Sequence, residues 1–297
     1  MKPVADRLLI AGVGLIGASL GLALRERGAV GEIVGLGRSA ENLRVARRRG
    51  AIDRAERDPA RATRGVDLVV VATPVGTIAP LVATLARTLP PTAVLTDAGS
   101  VKGPVVAAVE RALGRTAARF CGSHPIAGAE RAGAASARRD LLQDRRCILT
   151  PTARTSATAR RRARALWAAA GMRVETMAAA RHDDLYALLS HLPQTVATAL
   201  VNAAAARDNG RALAYAGSGF RDLTRIADSP TVIWRDILLA NRAPVLAALA
   251  GFGAACERLR RALAAGDGAA VARELGRARR ARRRIETPRR APARRTS

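Results

Sequence analysis

With 297 residues, 49% of them apolar, the chain is long enough for two modest domains, each with a proper core. A formal charge of +26 invites a nucleic-acid reading, but Lys2 and Lys102 are the only lysines among 50 basic residues, and alanine is as heavily used as arginine. So uniform a bias belongs to the whole chain rather than to one binding patch, and two Trp, two Tyr and three Phe leave little to stack on bases, so nucleic acid is not an expected partner.

The first half alternates short apolar runs with helical stretches. RLLIAG, EIVGLG, DLVVVATP, AVLTDAG, RFCGS and CILTP read as strands, each rich in Val, Ile or Leu and closed by small or turn-forming residues. Between them ASLGLALRERG, AENLRVARRRG, GTIAPLVATLARTL and VKGPVVAAVERALG carry helical spacing. Strand–helix alternation of this kind means βαβ units and a largely parallel sheet. A helix over about Ser156 to Ala170 and the strand MRVETM complete a first domain, 1–178.

From Ala179 the strand signals stop. ARHDDLYALLSHLPQTVATALVNAAAA, TVIWRDILLANRAPVLAALAGFGAACERLRRALAAG and GAAVARELGRARRARRR are helical in pattern, with the glycine-rich, charged GSGFRDLTRIADSP between the first two. Alanine-rich helices with little polar surface need a neighbour, so 179–283 is expected to be an all-α domain that makes a homodimer. The basic, proline-bearing segment 284–297 is expected to be a disordered tail. Cys121, Cys147 and Cys256 are too few and too scattered for a disulfide framework or a zinc site, and no metal is expected. The N-terminus runs straight into a strand without the apolar core of a signal peptide. The longest uncharged stretch, Leu185 to Ala206, contains Ser190, His191, Pro193, Gln194 and Asn202, too polar for a lipid-facing span. A cytoplasmic protein without membrane contact is the expectation.

GVGLIG, residues 12–17, fits the GxGxxG pattern in the context that gives it meaning, after the strand RLLIA and at the head of the helix ASLGLALRERG. Gly12 permits the tight turn, Gly14 lets backbone approach a pyrophosphate, and Gly17 lets helix and strand pack closely. Leu15 and Ile16 open the helix, whose N-terminus offers N–H donors and a favourable dipole to the anion. The first domain therefore reads as a Rossmann-type dinucleotide-binding unit. At the end of the second strand an Asp or Glu would bond the ribose 2′-hydroxyl of NAD; here Gly37 takes that place, followed by Arg38 and Ser39. An arginine and a hydroxyl suit a 2′-phosphate, so of NADP and NAD the sequence favours NADP.

Three further strand tips fall where ligands of open α/β sheets bind: Thr73 and Pro74 in VVVATPVG, Ser100 and Lys102 in VLTDAGSVK, and His124 in FCGSHP. A histidine at such an edge can take a hydroxyl proton while hydride leaves the same carbon. At this point GVGLIGASLGLAL, ATPVG, TDAGSVK, GSHPIAGAE, RHDDLYALLSHLPQ and GFRDLTRIADSPTVIWRDI together resemble the prephenate dehydrogenase family, including its arogenate-using relatives, in the same order over roughly residues 7 to 245.

The resemblance implies oxidative decarboxylation of prephenate to 4-hydroxyphenylpyruvate, a step of tyrosine biosynthesis, with arogenate as the alternative substrate. It implies that His124 accepts the ring hydroxyl proton, that Ser100 orients it beside the nicotinamide, and that Arg225 binds a substrate carboxylate, for which a bidentate guanidinium is well shaped. It further implies that His191, Glu130 and Trp234 belong to the substrate site, Trp234 near the dimer interface. Ala129 stands where the family has threonine, and no room is left for a mutase or regulatory domain, so a monofunctional version is expected. His182, at a helix start beside two acids, reads as a cap or structural residue. A hydroxy-acid dehydrogenase of the 3-hydroxyisobutyrate type would share the two-domain plan, but such enzymes rely on a lysine in the helical region, and this chain has none after Lys102.

Overall fold

The computed structural model describes residues 3–129 and 131–285. The first half lays down β1 (Ala5–Ala11), α1 (Leu15–Glu26), β2 (Val30–Leu36), α2 (Ala40–Arg48), β3 (Arg54–Glu56), α3 (Pro59–Ala62), β4 (Leu68–Val71), α4 (Val75–Ala86), β5 (Val94–Asp97), α5 (Gly103–Leu113) and β6 (Phe120–Pro125). Then follow β7 (Arg146–Thr150), α6 (Ala157–Ala169) and β8 (Arg173–Thr176). All eight strands form one sheet in the order β3-β2-β1-β4-β5-β6-β7-β8, parallel throughout except where β7 runs against β6. Of the strands only β3, three residues without an apolar run, escapes the sequence reading, as does the four-residue α3 that follows it.

The strands carry apolar residues on both faces because both faces are covered. Leu8 and Ile10 of β1 join Leu20 and Leu24 of α1 and Leu166 and Trp167 of α6 in one buried layer. Leu9 and Ala11 of the same strand face the other layer, with Ile78, Val82 and Leu85 of α4 and Val105 and Val109 of α5. The chain reverses direction across the sheet between β1 and β4, which opens a crevice above their carboxyl ends.

Beyond the sheet come α7 (Ala179–Tyr186), α8 (Leu192–Ala205), α9 (Ser218–Thr224), α10 (Thr231–Ala240), α11 (Arg242–Ala264) and α12 (Gly268–Arg282). The pattern ARHDDLYALLSHLPQ reads as one continuous helix, but Ala187–His191 is a π-helical turn between α7 and α8. Pro193 has no N–H to give the carbonyl of Leu189 and its ring crowds that carbonyl, and the wider turn relieves both. The glycine-rich GSGFRDLTRIADSP, read as a connection, contains α9 and a 3₁₀ turn at Arg225–Asp228.

By packing, the chain separates into one unit up to Val245 and a second from Leu246. The sequence reading divides the domains near residue 178. The difference has a local cause: α7 is tied to the sheet half, since the Asp183 carboxylate accepts hydrogen bonds from the backbone N–H groups of Lys102 and Gly103, both at 2.7 Å. Within the second unit, Arg258 of α11 pairs with Glu274 of α12 at 3.8 Å. Residues 286–297, most of the expected tail, lie outside the described residues. No single helix among the described residues is long and apolar enough to cross a membrane.

Candidate active site

A cavity of about 600 Å³ lies over the carboxyl edge of the sheet, within the first unit. Its floor is the turn after β1. Gly12 has φ +98°, and a Cβ there would sit 2.5 Å from the Ala72 carbonyl oxygen, so only glycine can make the turn. A Cβ on Gly17 would run into the Gly12 carbonyl, and this closeness brings the start of α1 against the strand end. Gly14, which caps α1 without any side-chain hydrogen bond, has nothing within 4 Å of where a Cβ would stand. Open space at an uncapped helix N-terminus is the shape a pyrophosphate requires. Thr73 adds a buried hydroxyl without a partner among the described residues. Gly14, Leu15, Ile16, Thr73, Pro74 and Ser100 all line the cavity, so the residues present fit a dinucleotide.

Opposite this cradle stands His124, at the end of β6 and lining the same cavity. Its strand is held from behind by buried polar groups. Ser123 N donates to Asp97 Oδ1 at 2.9 Å, and Trp167 Nε1 donates to Ser123 Oγ at 2.8 Å. Lys102 Nζ, fully buried, donates to the Ser123 carbonyl at 2.7 Å and pairs with the equally buried Asp97 carboxylate. Lys102 therefore serves the sheet edge from below and does not line the cavity.

The ring of His124 is oriented from α7. His124 Nδ1 and His182 Nε2 are 2.8 Å apart, and His182 Nδ1 lies 2.8 Å from Asp183 Oδ1. Asp183 already accepts the two N–H bonds at the head of α5, so it is an acceptor only. His182 must then carry its proton on Nδ1, which makes its Nε2 an acceptor. His124 in turn donates from Nδ1, and its Nε2 is left as a lone pair for the cavity. Burial, then the neighbouring His182, Lys102 and His191, hold the His124 imidazole well below the ordinary histidine range. It is neutral, and thus a base, at neutral pH. Tyr186 closes the cluster, its ring 5.1 Å from that of His124 and 4.6 Å from that of His182.

The far wall comes from the helices: Arg225, Ile226, Ser229, Ile233, Trp234 and Ile237. An arginine and a tryptophan facing an imidazole base across apolar walls make a pocket for a small anion with a ring. His191 is not part of that wall. It is buried, its Nδ1 lies 3.0 Å from the Asn241 amide nitrogen, and its ring meets Trp234 edge-on at 6.1 Å. Its Nε2 has no partner among the described residues, and burial pushes its pKa down to about 4.

Comparison with known proteins agrees with this geometry. The model of the prephenate dehydrogenase nucleotide-binding domain matches residues 20–176, and that of the prephenate dehydrogenase dimerization domain matches residues 178–277. The chain belongs to the prephenate dehydrogenase family. It is 33% identical to the prephenate dehydrogenase of Bacillus subtilis over 83% of this chain and 67% of that one. It is 34% identical to the cyclohexadienyl dehydrogenase of Zymomonas mobilis over 89% of this chain and 91% of that one. The crystal structure of the Aquifex aeolicus prephenate dehydrogenase with hydroxyphenyl propionate and NAD+ superposes with a TM-score of 0.89 at 33% identity, covering 95% of this chain and 98% of that one. The chain is accordingly an NAD(P)-dependent oxidoreductase of this family, with a nucleotide-binding sheet domain followed by helices.

Of the residues singled out from sequence, the structure gathers Gly14, Leu15, Ile16, Thr73, Pro74, Ser100, His124, Arg225 and Trp234 around one cavity. Gly12 and Gly17 shape it from beneath. Arg38 and Ser39 lie beyond it at the tip of β2, both exposed, where Ser39 Oγ also caps α2 by accepting from Asn42 N at 3.1 Å. Glu130 lies outside the described residues. Sequence reasoning missed the roles of His182, Asp183 and Tyr186. The sequence signal was present, since His182 is one of three histidines in the chain, but a contact spanning 58 residues cannot be read from spacing.

Proposed function

We propose that this protein is a prephenate dehydrogenase, cytoplasmic and homodimeric, that decarboxylates and oxidises prephenate to 4-hydroxyphenylpyruvate, with arogenate as the competing substrate. The observation that carries the reading is a neutral imidazole, with Nε2 left for the cavity, set between a dinucleotide cradle and Arg225. When bound, the nicotinamide takes up the hydride. The protein's own task is alignment, holding the reacting atoms within about 3–3.5 Å of each other. His124 Nε2 accepts the ring hydroxyl proton, so that the hydroxyl carbon can release hydride and become a carbonyl. Loss of CO2 then aromatises the ring, and the phenolate oxygen takes a proton back. Ser100 borders the reacting end, and Trp234 and Ile233 flank the ring. His191, through Trp234, supports that wall.

Exposed Leu188, Leu189, Leu223, Val232 and Leu239 support the homodimer, because so many large apolar side chains on neighbouring helices call for a cover. The deciding experiment follows absorbance of the reduced nicotinamide, offering prephenate and arogenate with each of NAD and NADP. No reduction with either substrate would overturn the reading.

Arg225 is assigned to a substrate carboxylate. Arg225→Gln is expected to raise KM for prephenate by roughly 10- to 100-fold, the equivalent of one charge-assisted hydrogen bond, with a much smaller fall in kcat. Steady-state kinetics at saturating nucleotide check it. An unmoved KM would assign the carboxylate to another arginine.

NADP is the proposed preferred nucleotide. Gly37 leaves no carboxylate at the tip of β2, and the nearby Glu56 is already paired with Arg54 at 2.5 Å. Arg38 is exposed there and suits a phosphate. Arg38→Ala is expected to shift the ratio of kcat/KM toward NAD by roughly 10- to 100-fold. Adding Gly37→Asp should take it further, since a carboxylate accepts the 2′-hydroxyl and repels a phosphate, although its Cβ would stand 3.2 Å from Leu43 Cδ2 and that side chain must shift slightly. A wild type that prefers NAD, or a ratio unchanged by Arg38→Ala, would reduce Arg38 to an ordinary surface arginine.

A further inference from the structure

We infer that His182 and Asp183 are positioning residues that form a reversible proton store behind His124, an inference that rests on the functional reading above. Three groups stand in line, each within hydrogen-bond distance of the next: His124 Nδ1 to His182 Nε2 at 2.8 Å, and His182 Nδ1 to Asp183 Oδ1 at 2.8 Å. The line is screened from water, His182 and Asp183 both being buried. Its far end is anchored by the two 2.7 Å bonds that Asp183 accepts from Lys102 N and Gly103 N at the start of α5. Asn241 Nδ2 donates to the Asp183 carbonyl at 2.9 Å and steadies the same residue from the turn between α10 and α11.

The reaction gives such a store work to do. The hydroxyl proton leaves the substrate before or as the hydride leaves, and a proton must return to the same oxygen once CO2 has gone. As His124 Nε2 accepts the first proton, its Nδ1 proton passes to His182 Nε2. The positive charge then rests on His182 as an imidazolium beside the Asp183 carboxylate, with no carbon bond changed. When the phenolate forms, His182 returns the Nδ1 proton to His124, and Nε2 delivers the other to oxygen. Protons balance over the cycle, and NAD(P)+ is the only oxidant.

The other groups facing the pair are each committed elsewhere or titrate out of range. Lys102 and Asp97 neutralise one another beneath the sheet edge. Tyr186 shares the helix, and burial raises its hydroxyl to about 12, so it does not exchange protons at neutral pH. His191 lies farther along the chain and is committed to Asn241. Burial lowers the pKa of His182 as it does that of His124, but the hydrogen bond that His182 donates to Asp183 works in the opposite direction on His182 alone. The proton is thus better held one ring away from the substrate.

Two experiments test this. The chain has only three histidines, so ¹⁵N-histidine NMR of the wild-type protein resolves each tautomer. The store requires Nδ1–H on both His124 and His182, with Nε2–H on His191, whose Nδ1 faces an amide donor; Nε2–H on either of the first two would overturn it. The second compares His182→Gln, which keeps an acceptor near Nε2 but cannot hold a proton, with His182→Phe, which does neither. Both are expected to lower kcat on the order of 10²-fold, with KM for prephenate and nucleotide little changed. The acid limb of kcat/KM should move to lower pH, because His124 must then hold the proton alone. Wild-type turnover in His182→Gln would show that an acceptor suffices and would end the proposal. So would a fall in rate with raised KM and an unmoved acid limb, the mark of a purely structural role. If the wild type turns over neither prephenate nor arogenate, the functional reading fails, while the NMR result still decides whether the hydrogen-bonded line exists.

Discussion

His124→Asn is expected to fold, bind nucleotide and lose turnover by about 10²- to 10⁴-fold, the contribution of a positioned general base. Asparagine is the informative replacement because its amide nitrogen can stand near Nδ1 and still donate to His182, leaving the line behind it intact. What it removes is the lone pair that faces the cavity. The pH profile gives an independent check. Because the folded protein holds His124 well below its ordinary range, the neutral base persists below the usual histidine pKa of 6.5. The wild-type acid limb of kcat/KM should therefore fall below that pH, and the variant should lose it. Stopped assays with prephenate, alongside nucleotide binding and thermal melting, measure all three. An unchanged kcat would remove His124 from the chemistry.

The elements most legible in the sequence were those whose cause is local. The turn at Gly12 and the open cradle at Gly14 follow from a strand, three glycines and a helix adjacent in the chain. The strands announced themselves because a sheet covered on both faces needs unbroken apolar runs such as LVVV in β4. The cavity-facing position of His124 was legible for a similar reason, being the last histidine-bearing step of a strand that ends on the ligand edge of the sheet. What stayed hidden was whatever depends on two distant segments meeting. His182 looked like a helix cap because its neighbours are acids, but one of those acids caps a different helix, α5, and fixes the tautomer of His182 on the way. The π-helical turn was hidden because periodicity does not register one extra residue before Pro193. His191, assigned to the substrate site by resemblance, is buried beside Asn241 and reaches that wall only through Trp234.

The charge was the least informative feature, and the structure supplies a physical reason. Many arginines act as ties between loops. Arg49 Nη2 donates to the Ala137 carbonyl at 2.7 Å, Arg119 Nη1 to that of Pro90 at 3.1 Å, and Arg162 to both the carbonyl and the carboxylate of Asp67 at 2.7 and 2.9 Å. A guanidinium used this way offers several donors to carbonyls that have none.

Lys102→Met carries the largest expected effect on stability. The lysine is as buried as any core residue, and its ammonium faces the fully buried Asp97 carboxylate and the Ser123 carbonyl. Methionine fills much the same volume, so the change isolates the charge. Asp97 would keep its bonds from Gly99 N and Ser123 N, both at 2.9 Å, but would remain an uncompensated charge inside the sheet edge. Breaking a buried pair from one side costs about 3–5 kcal/mol. Each kcal/mol is worth roughly 2–4 °C in a chain of somewhat smaller size, so a fall in Tm on the order of 10 °C is expected. Turnover should fall as well, because the lost Ser123 contact lies one residue before His124. Adding Asp97→Asn removes the stranded charge, so the double variant should be less destabilised than the sum of the two single changes. Paired thermal and denaturant melts of the four proteins measure that coupling. A Lys102→Met protein that melts within about 2 °C of wild type, a difference of less than roughly 1 kcal/mol, would mean that Asp97 is neutralised by some other group, and the assignment of Lys102 as its counter-charge would fall.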